Sequence, residues 1–79
     1  MLIHLQYYAL LREQAGRSTE TLQSHAATPA MLYAELQQRY PFTLAAAQLK
    51  VAVNGEFADW QRALADGDAV VFIPPVAGG

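Results

Sequence analysis

The chain has 79 residues, 53% hydrophobic and 15% charged, with a net charge of −2 and no cysteine. That length makes one domain, which buries only about 60% of its unfolded surface, and a charge content below the roughly 25% of an average domain puts some of the apolar excess on a surface. The composition excludes disulfides, cysteine-based metal sites and thiol nucleophiles; the five basic residues Arg12, Arg17, Arg39, Lys50 and Arg62 are too dispersed to track a phosphate backbone.

In chain order, Leu2 to Tyr8 alternates, with Ile3, Leu5 and Tyr7 on one side and His4 and Gln6 on the other, the period of a half-buried strand. Ala9 to Ala15 is built of good helix formers, and Gly16 suits the left-handed position that closes a short helix. Ser18 to Gln23, rich in threonine and polar residues, reads as an exposed edge strand forming a hairpin with the first. Thr28-Pro29 supplies an N-cap with proline at the first helical position. Leu32, Tyr33, Leu36 and Tyr40 then share one helical face until Pro41 stops it, with Arg39 placed for the C-terminal dipole.

Leu49 to Val53 alternates again, and Asn54-Gly55 is the favoured pair for a type I′ hairpin turn into Glu56-Phe57. After an irregular stretch containing Trp60 and Leu64, Asp66-Gly67-Asp68 supplies turn chemistry before a last strand, Ala69 to Ile73, which Pro74 ends. The order β-β-α-β-β, with first and last strands parallel and adjacent, predicts an α+β fold of the β-grasp (ubiquitin-like) kind: a small mixed sheet packed on one main helix. Residues 1–75 form this domain and residues 76–79 a flexible Gly-Gly tail. No run approaches the ~20 apolar residues of a bilayer span, and the first residues lack a basic signal region, so the expected protein is cytoplasmic, without nucleic-acid or membrane binding. The slight negative charge suits a basic partner groove but steers weakly.

Two features point to function. Val70, Val71, Phe72 and Ile73 are apolar on both faces, whereas a sheet covered by one helix needs only one apolar face. Either Trp60 and Leu64 cover the second side, or that side is a binding patch; composition leaves both open. The patch reading takes Phe72 or its neighbours Val71 and Ile73 as the apolar anchor, with Pro74 and Pro75 beside them. The second feature is the terminal Val76-Ala77-Gly78-Gly79, whose free Gly-Gly carboxylate is the expected working group.

Tyr8-Ala9-x-Leu11-Arg12-Glu13-x-x-Gly16 and the terminal Gly67-Asp68-x-Val70-x-Phe72-x-Pro74-Pro75-Val76-x-Gly78-Gly79 resemble the small, sulfur-carrying subunit of molybdopterin synthase, a MoaD-like ubiquitin-fold family. From about Ser18 to Gln48 the match is one of pattern only. The resemblance implies a protein substrate, the non-catalytic sulfur-donor subunit of a sulfurtransferase complex. Its C-terminal Gly79 is adenylated by an E1-like enzyme that uses ATP and magnesium, is converted to a thiocarboxylate with sulfur from a donor protein, and enters the active site of a larger synthase subunit. There it gives sulfur to a cyclic pterin phosphate precursor of the molybdenum cofactor. The implied assembly has two large subunits with a small one at each end, and the carrier itself binds no cofactor.

The residue chemistry agrees with that mechanism. A terminal carboxylate, with a pKa near 3.3–3.7, is a poor electrophile at neutral pH and needs activation. Glycine removes side-chain obstruction in a narrow channel: Gly78 gives clearance and Gly79 the reacting acyl group, while Val76, Ala77 and Gly78 thread. Six residues from Pro74 reach at most about 20 Å, and the two prolines reduce the entropy lost on threading. Alternatives are a carrier for thiamine, tRNA or cysteine pathways, which Pro74-Pro75 disfavours, a ubiquitin-like modifier joining Gly79 to lysine, or a plain interaction module.

Other candidates carry less. Asp66-Gly67-Asp68 lacks the further oxygen ligands of a calcium loop, and His4 and His25 have no metal-ligand pattern around them, so no metal site is expected. Nothing forces Glu13 near Glu56 or Asp59 near Asp66 as an acid-base pair. Trp60 and Phe57 could form a recognition surface, but capping the small core beside the last strand is the favoured reading, given how often large aromatics are buried.

Overall fold

Strand β1 (Leu2–Gln6) buries Ile3 and Leu5 and exposes the residues between them, as its alternation requires. The computed structural model describes residues 1–75; the expectations for Val76, Ala77, Gly78 and Gly79 lie outside the described residues. Helix α1 (Ala9–Ala15) follows and ends on Gly16, whose φ of 74° is the left-handed C-cap and whose N–H donates to the Arg12 carbonyl. Strand β2 (Thr19–Gln23) returns antiparallel to β1, with Leu5 opposite Glu20 and Ile3 opposite Leu22.

Helix α2 (Pro29–Arg39) is capped by Thr28, whose hydroxyl accepts the Met31 N–H at 3.3 Å, and buries Leu32, Tyr33 and Leu36. A 3₁₀ turn at Ala46–Gln48 leads into β3 (Lys50–Val53). Asn54 and Gly55, at φ 53° and 84°, make the hairpin turn into the two-residue strand β4 (Glu56–Phe57), both positions having the positive φ that a type I′ turn demands. Strand β5 (Asp68–Ile73) begins one residue before the position predicted, because the Asp68 side chain already locks the turn.

The sheet order is β2-β1-β5-β3-β4, with β5 parallel to β1 and antiparallel to β3. The predicted β-β-α-β-β order gains one member, the short edge strand β4. The polar strand β2 lies at the opposite edge, where only one of its faces is covered. Ile3, Leu5, Leu22, Val51, Val53, Val70 and Phe72 face α2 and form one core with Leu32, Tyr33, Leu36 and Phe42. Among the described residues no helix is long and apolar enough to cross a membrane.

A polar cluster invisible in the sequence ties the β1–β2 end to the end of α2. Glu20 lies on the core face of β2, its side chain only 7% exposed, and accepts from the Tyr7 hydroxyl at 2.7 Å and the Tyr40 hydroxyl at 2.8 Å. The Arg17 and Arg39 guanidinium groups stand 3.7 and 3.6 Å away. Burial first, then the hydrogen bond to Glu20, raises the pKa of both tyrosines, keeping them as donors.

Candidate functional site

Strand β5 is hydrogen-bonded on both edges, so its two faces meet different surroundings. Val70 and Phe72 point into the core and are fully buried. Phe72 packs with its ring centroid 5.6 Å from Trp60, stacked, and 5.1 Å from Tyr33. It is therefore not available as a surface anchor, and the expectation that placed Phe72 in the partner interface is corrected: the alternation of the strand turns its ring toward α2.

Trp60 and Leu64 pack against this same core, on the helix side. Their segment is held there by backbone hydrogen bonds, from the Ala30 N–H to the Trp60 carbonyl at 3.0 Å and from the Leu64 N–H to the Ala27 carbonyl at 2.9 Å. They do not cover the second side of β5. Phe57, expected beside Trp60 over the core, is 75% exposed instead, because its pairing with Ala52 puts it on the other face of the sheet.

That second face is open. Val71 and Ile73 project from it half-buried, and with Tyr8, Ala52, Pro74 and Pro75 they line a shallow, mainly apolar depression at the end of β5. Tyr8 is 45% exposed. Beside it, Ala9 holds φ 50°, a left-handed conformation that a Cβ disfavours, where α1 turns off the end of β1. The expected site residues Val71, Ile73, Pro74 and Pro75 thus come together at the point where the chain leaves the sheet. Tyr8 and Ala52 join this face without having been named as site residues, and Phe57 joins it as the recognition-surface alternative allowed; the continued alternation His4, Gln6, Tyr8 was the signal for the first of them.

Toward the β2 edge the open face carries polar side chains beside the exposed Leu2. His4 Nδ1 lies 2.9 Å from the Thr21 hydroxyl across the β1–β2 ladder, and the residues around them form a second depression with Gln6 and Arg17. The Asp66-Gly67-Asp68 turn is structural: the Asp66 carboxyl accepts the Leu2 N–H at 2.6 Å, while the Asp68 carboxyl accepts the Asn54 side-chain amide at 2.9 Å and the Ala65 N–H at 2.8 Å. These two bonds, the backbone one first, hold the Asp68 carboxyl below its ordinary pKa. Among the described residues no three histidine or carboxylate side chains cluster as a metal site would require.

The arrangement is suited to docking: an apolar platform that runs up to Pro74 and Pro75 at the end of β5. Known proteins resemble the chain in sequence and in fold. The ThiS family model matches residues 5–79. The molybdopterin synthase sulfur carrier subunit of Escherichia coli (strain K12) is 31% identical over 81 residues, covering 99% of this chain and 100% of that one. SAMP1 from Haloferax volcanii superposes with a TM-score of 0.81 at 28% identity over 100% of both chains. The putative molybdopterin converting factor subunit 1 of Pyrococcus furiosus gives the same TM-score, 0.81, at 28% identity over 96% of this chain and 99% of that one. The fold is ubiquitin-like, and a match of this extent, together with a full-length relative at this identity, assigns the chain to the ThiS family of sulfur carriers.

Proposed function

We propose that the chain is the sulfur-carrier subunit of a molybdopterin synthase. Gly79 is adenylated by an E1-like enzyme using ATP and magnesium, is converted to a thiocarboxylate by a sulfur-donor protein, and donates sulfur to a cyclic pterin phosphate precursor inside a large subunit. The observation that carries this reading is the position of the apolar platform: Val71 and Ile73 lie on the open sheet face immediately before Pro74 and Pro75. A partner seated there holds the domain by the platform while the tail extends, up to about 20 Å from Pro74, into its active site.

Binding energy from the platform positions the reacting carbon without requiring the carrier to supply catalytic groups. Activation balances simply. The Gly79 carboxylate attacks the α-phosphorus of ATP and releases pyrophosphate; hydrosulfide delivered by the donor then attacks the acyl carbon and expels AMP, leaving the thiocarboxylate and a proton. Two such carriers, one at each end of a pair of large subunits, make the heterotetramer of this reading, with a cytoplasmic location.

The test is the intact mass of the chain before and after incubation with ATP, magnesium, its host's adenylating enzyme and a sulfur source. The expected gain equals replacement of one oxygen by sulfur, localised to Gly79 and absent when Gly79 is deleted. No gain with a demonstrably active enzyme refutes carrier function. A second reading, a protein modifier, is favoured by the likeness to SAMP1, named elsewhere as a small archaeal modifier protein. Conjugates that survive reducing agent and vanish on Gly79 deletion would support it over sulfur transfer to a pterin.

A further inference from the structure

The open-face platform is read above as a partner surface, and the inference here rests on that reading: it concerns the charge that the partner carries. The chain is acidic overall, at −2, yet its open sheet face is not. On the strands, Glu20 shares the core face with Leu5, Glu56 is paired with core-facing Val53, and Asp68 lies opposite core-facing Ile3. No carboxylate projects from the open-face positions of the described strands. Lys50 does, from β3 directly opposite Ile73.

Lys50 is the only lysine of the chain, it is exposed, and no carboxyl oxygen among the described residues lies within ion-pair distance of it. Asp59 borders the same cleft, beside Phe57 and Trp60; one of its oxygens accepts the Gln61 N–H at 2.7 Å and neither stands within ion-pair distance of Lys50.

Geometry decides whether a partner can avoid this ammonium. Neighbouring strands lie about 4.8 Å apart, whereas a standard interface covers about 800 Å² per side, a disc of radius ~16 Å. A partner centred on Val71 therefore covers Lys50. An apolar partner surface at that point would strip water from the ammonium without compensation, and a basic one would repel it.

We propose that the docking partner presents a carboxylate over Lys50, beside the apolar side chains that sit on Val71 and Ile73, so that Lys50 selects the partner by charge. The net charge suggested a basic partner groove; the open face calls for an acidic rim. The long-range attraction raises the association rate and is screened, its range falling to about 10 Å at 0.1 M salt and about 3 Å at 1 M, while the covered contact itself is screened much less and slows dissociation.

The experiment measures association and dissociation of the full chain with its host's large molybdopterin synthase subunit, at about 0.05 M and about 1 M salt, for wild type, Lys50→Gln, Lys50→Glu and Val71→Asp. At low salt Lys50→Glu is expected to bind about tenfold more weakly or worse, and Lys50→Gln several-fold, through slower association and faster dissociation, with the gap to wild type narrowing but not closing at high salt. Acetylation, which removes the charge of the sole lysine, should reproduce Lys50→Gln, whereas reductive methylation, which keeps it, should not; the same treatments of Lys50→Gln control for the Met1 amine. If Val71→Asp abolishes binding while both Lys50 variants match wild type at both salt concentrations, or if Lys50→Glu binds tighter, the acidic rim is refuted. If Val71→Asp binds normally, the platform reading fails and takes this inference with it.

Discussion

Adjacent residues on β5 should respond to mutation in opposite ways, because one faces the core and the other the partner. Phe72 is fully buried between Trp60 and Tyr33. Truncating it to alanine removes about 3 kcal/mol of apolar burial and about 1 kcal/mol of aromatic pairing, a sum within the 3–5 kcal/mol typical of Phe→Ala in a core. A domain of this size has a total stability of roughly 4–12 kcal/mol, so Phe72→Ala removes between about a third and all of it. At about 4–8 °C per kcal/mol for a chain of this length, the melting temperature should fall by about 16–32 °C. Val71→Asp, on the open face, loses mainly strand propensity, about 1 kcal/mol, and should melt within about 8 °C of wild type while losing partner binding. Thermal unfolding followed by far-UV circular dichroism, paired with binding to the large synthase subunit, measures both. The facing assigned to β5 is refuted if Phe72→Ala melts near wild type, or if Val71→Asp is the more destabilised of the two.

Other outcomes follow from the same packing. Glu20→Ala leaves the Tyr7 and Tyr40 hydroxyls without their acceptor and should cost about 2–4 kcal/mol in urea unfolding, the range for orphaning buried donors of this kind; a loss under about 0.5 kcal/mol would show that the cluster is ornamental to stability. Asp68→Asn should cost about 1–2 kcal/mol at neutral pH, since it weakens hydrogen bonds to a charged acceptor. Because the folded carboxyl titrates below its ordinary 3.8, the unfolded chain binds the proton first. Wild-type Asp68 therefore contributes fully above about pH 4 and loses that contribution as pH falls through the folded value. The gap between wild type and variant should narrow in acid, and a gap that widens there would contradict the assignment. Ala9→Gly relieves a left-handed alanine that costs about 1–2 kcal/mol, against a glycine penalty of about 0.5–1 kcal/mol in a helix, so its melting temperature should hold or rise; a clear fall would refute strain at Ala9.

The local elements were legible because their signals are local. The alternation predicted for Leu2 to Tyr8, the Thr28-Pro29 cap, the positive-φ pair Asn54-Gly55 and the turn at Asp66 to Asp68 each depend on residues a few positions apart; the cap and the Asn54-Gly55 turn stand where predicted, while the first strand ends two residues early at Gln6 and Asp68 already belongs to β5. The exit of the chain through Pro74-Pro75 beside an apolar strand was legible for the same reason. What the sequence could not decide was which surface each strand face meets, since that depends on register between segments far apart in the chain. Tertiary pairing alone put Phe72 inside and Val71 and Ile73 outside, sent Trp60 to the helix side and Phe57 to the open one, and brought Glu20 to Tyr7, Tyr40 and two arginines. A single period-2 pattern names two faces without saying which is covered, and only the packing of α2 and the Trp60 segment on one of them settles it.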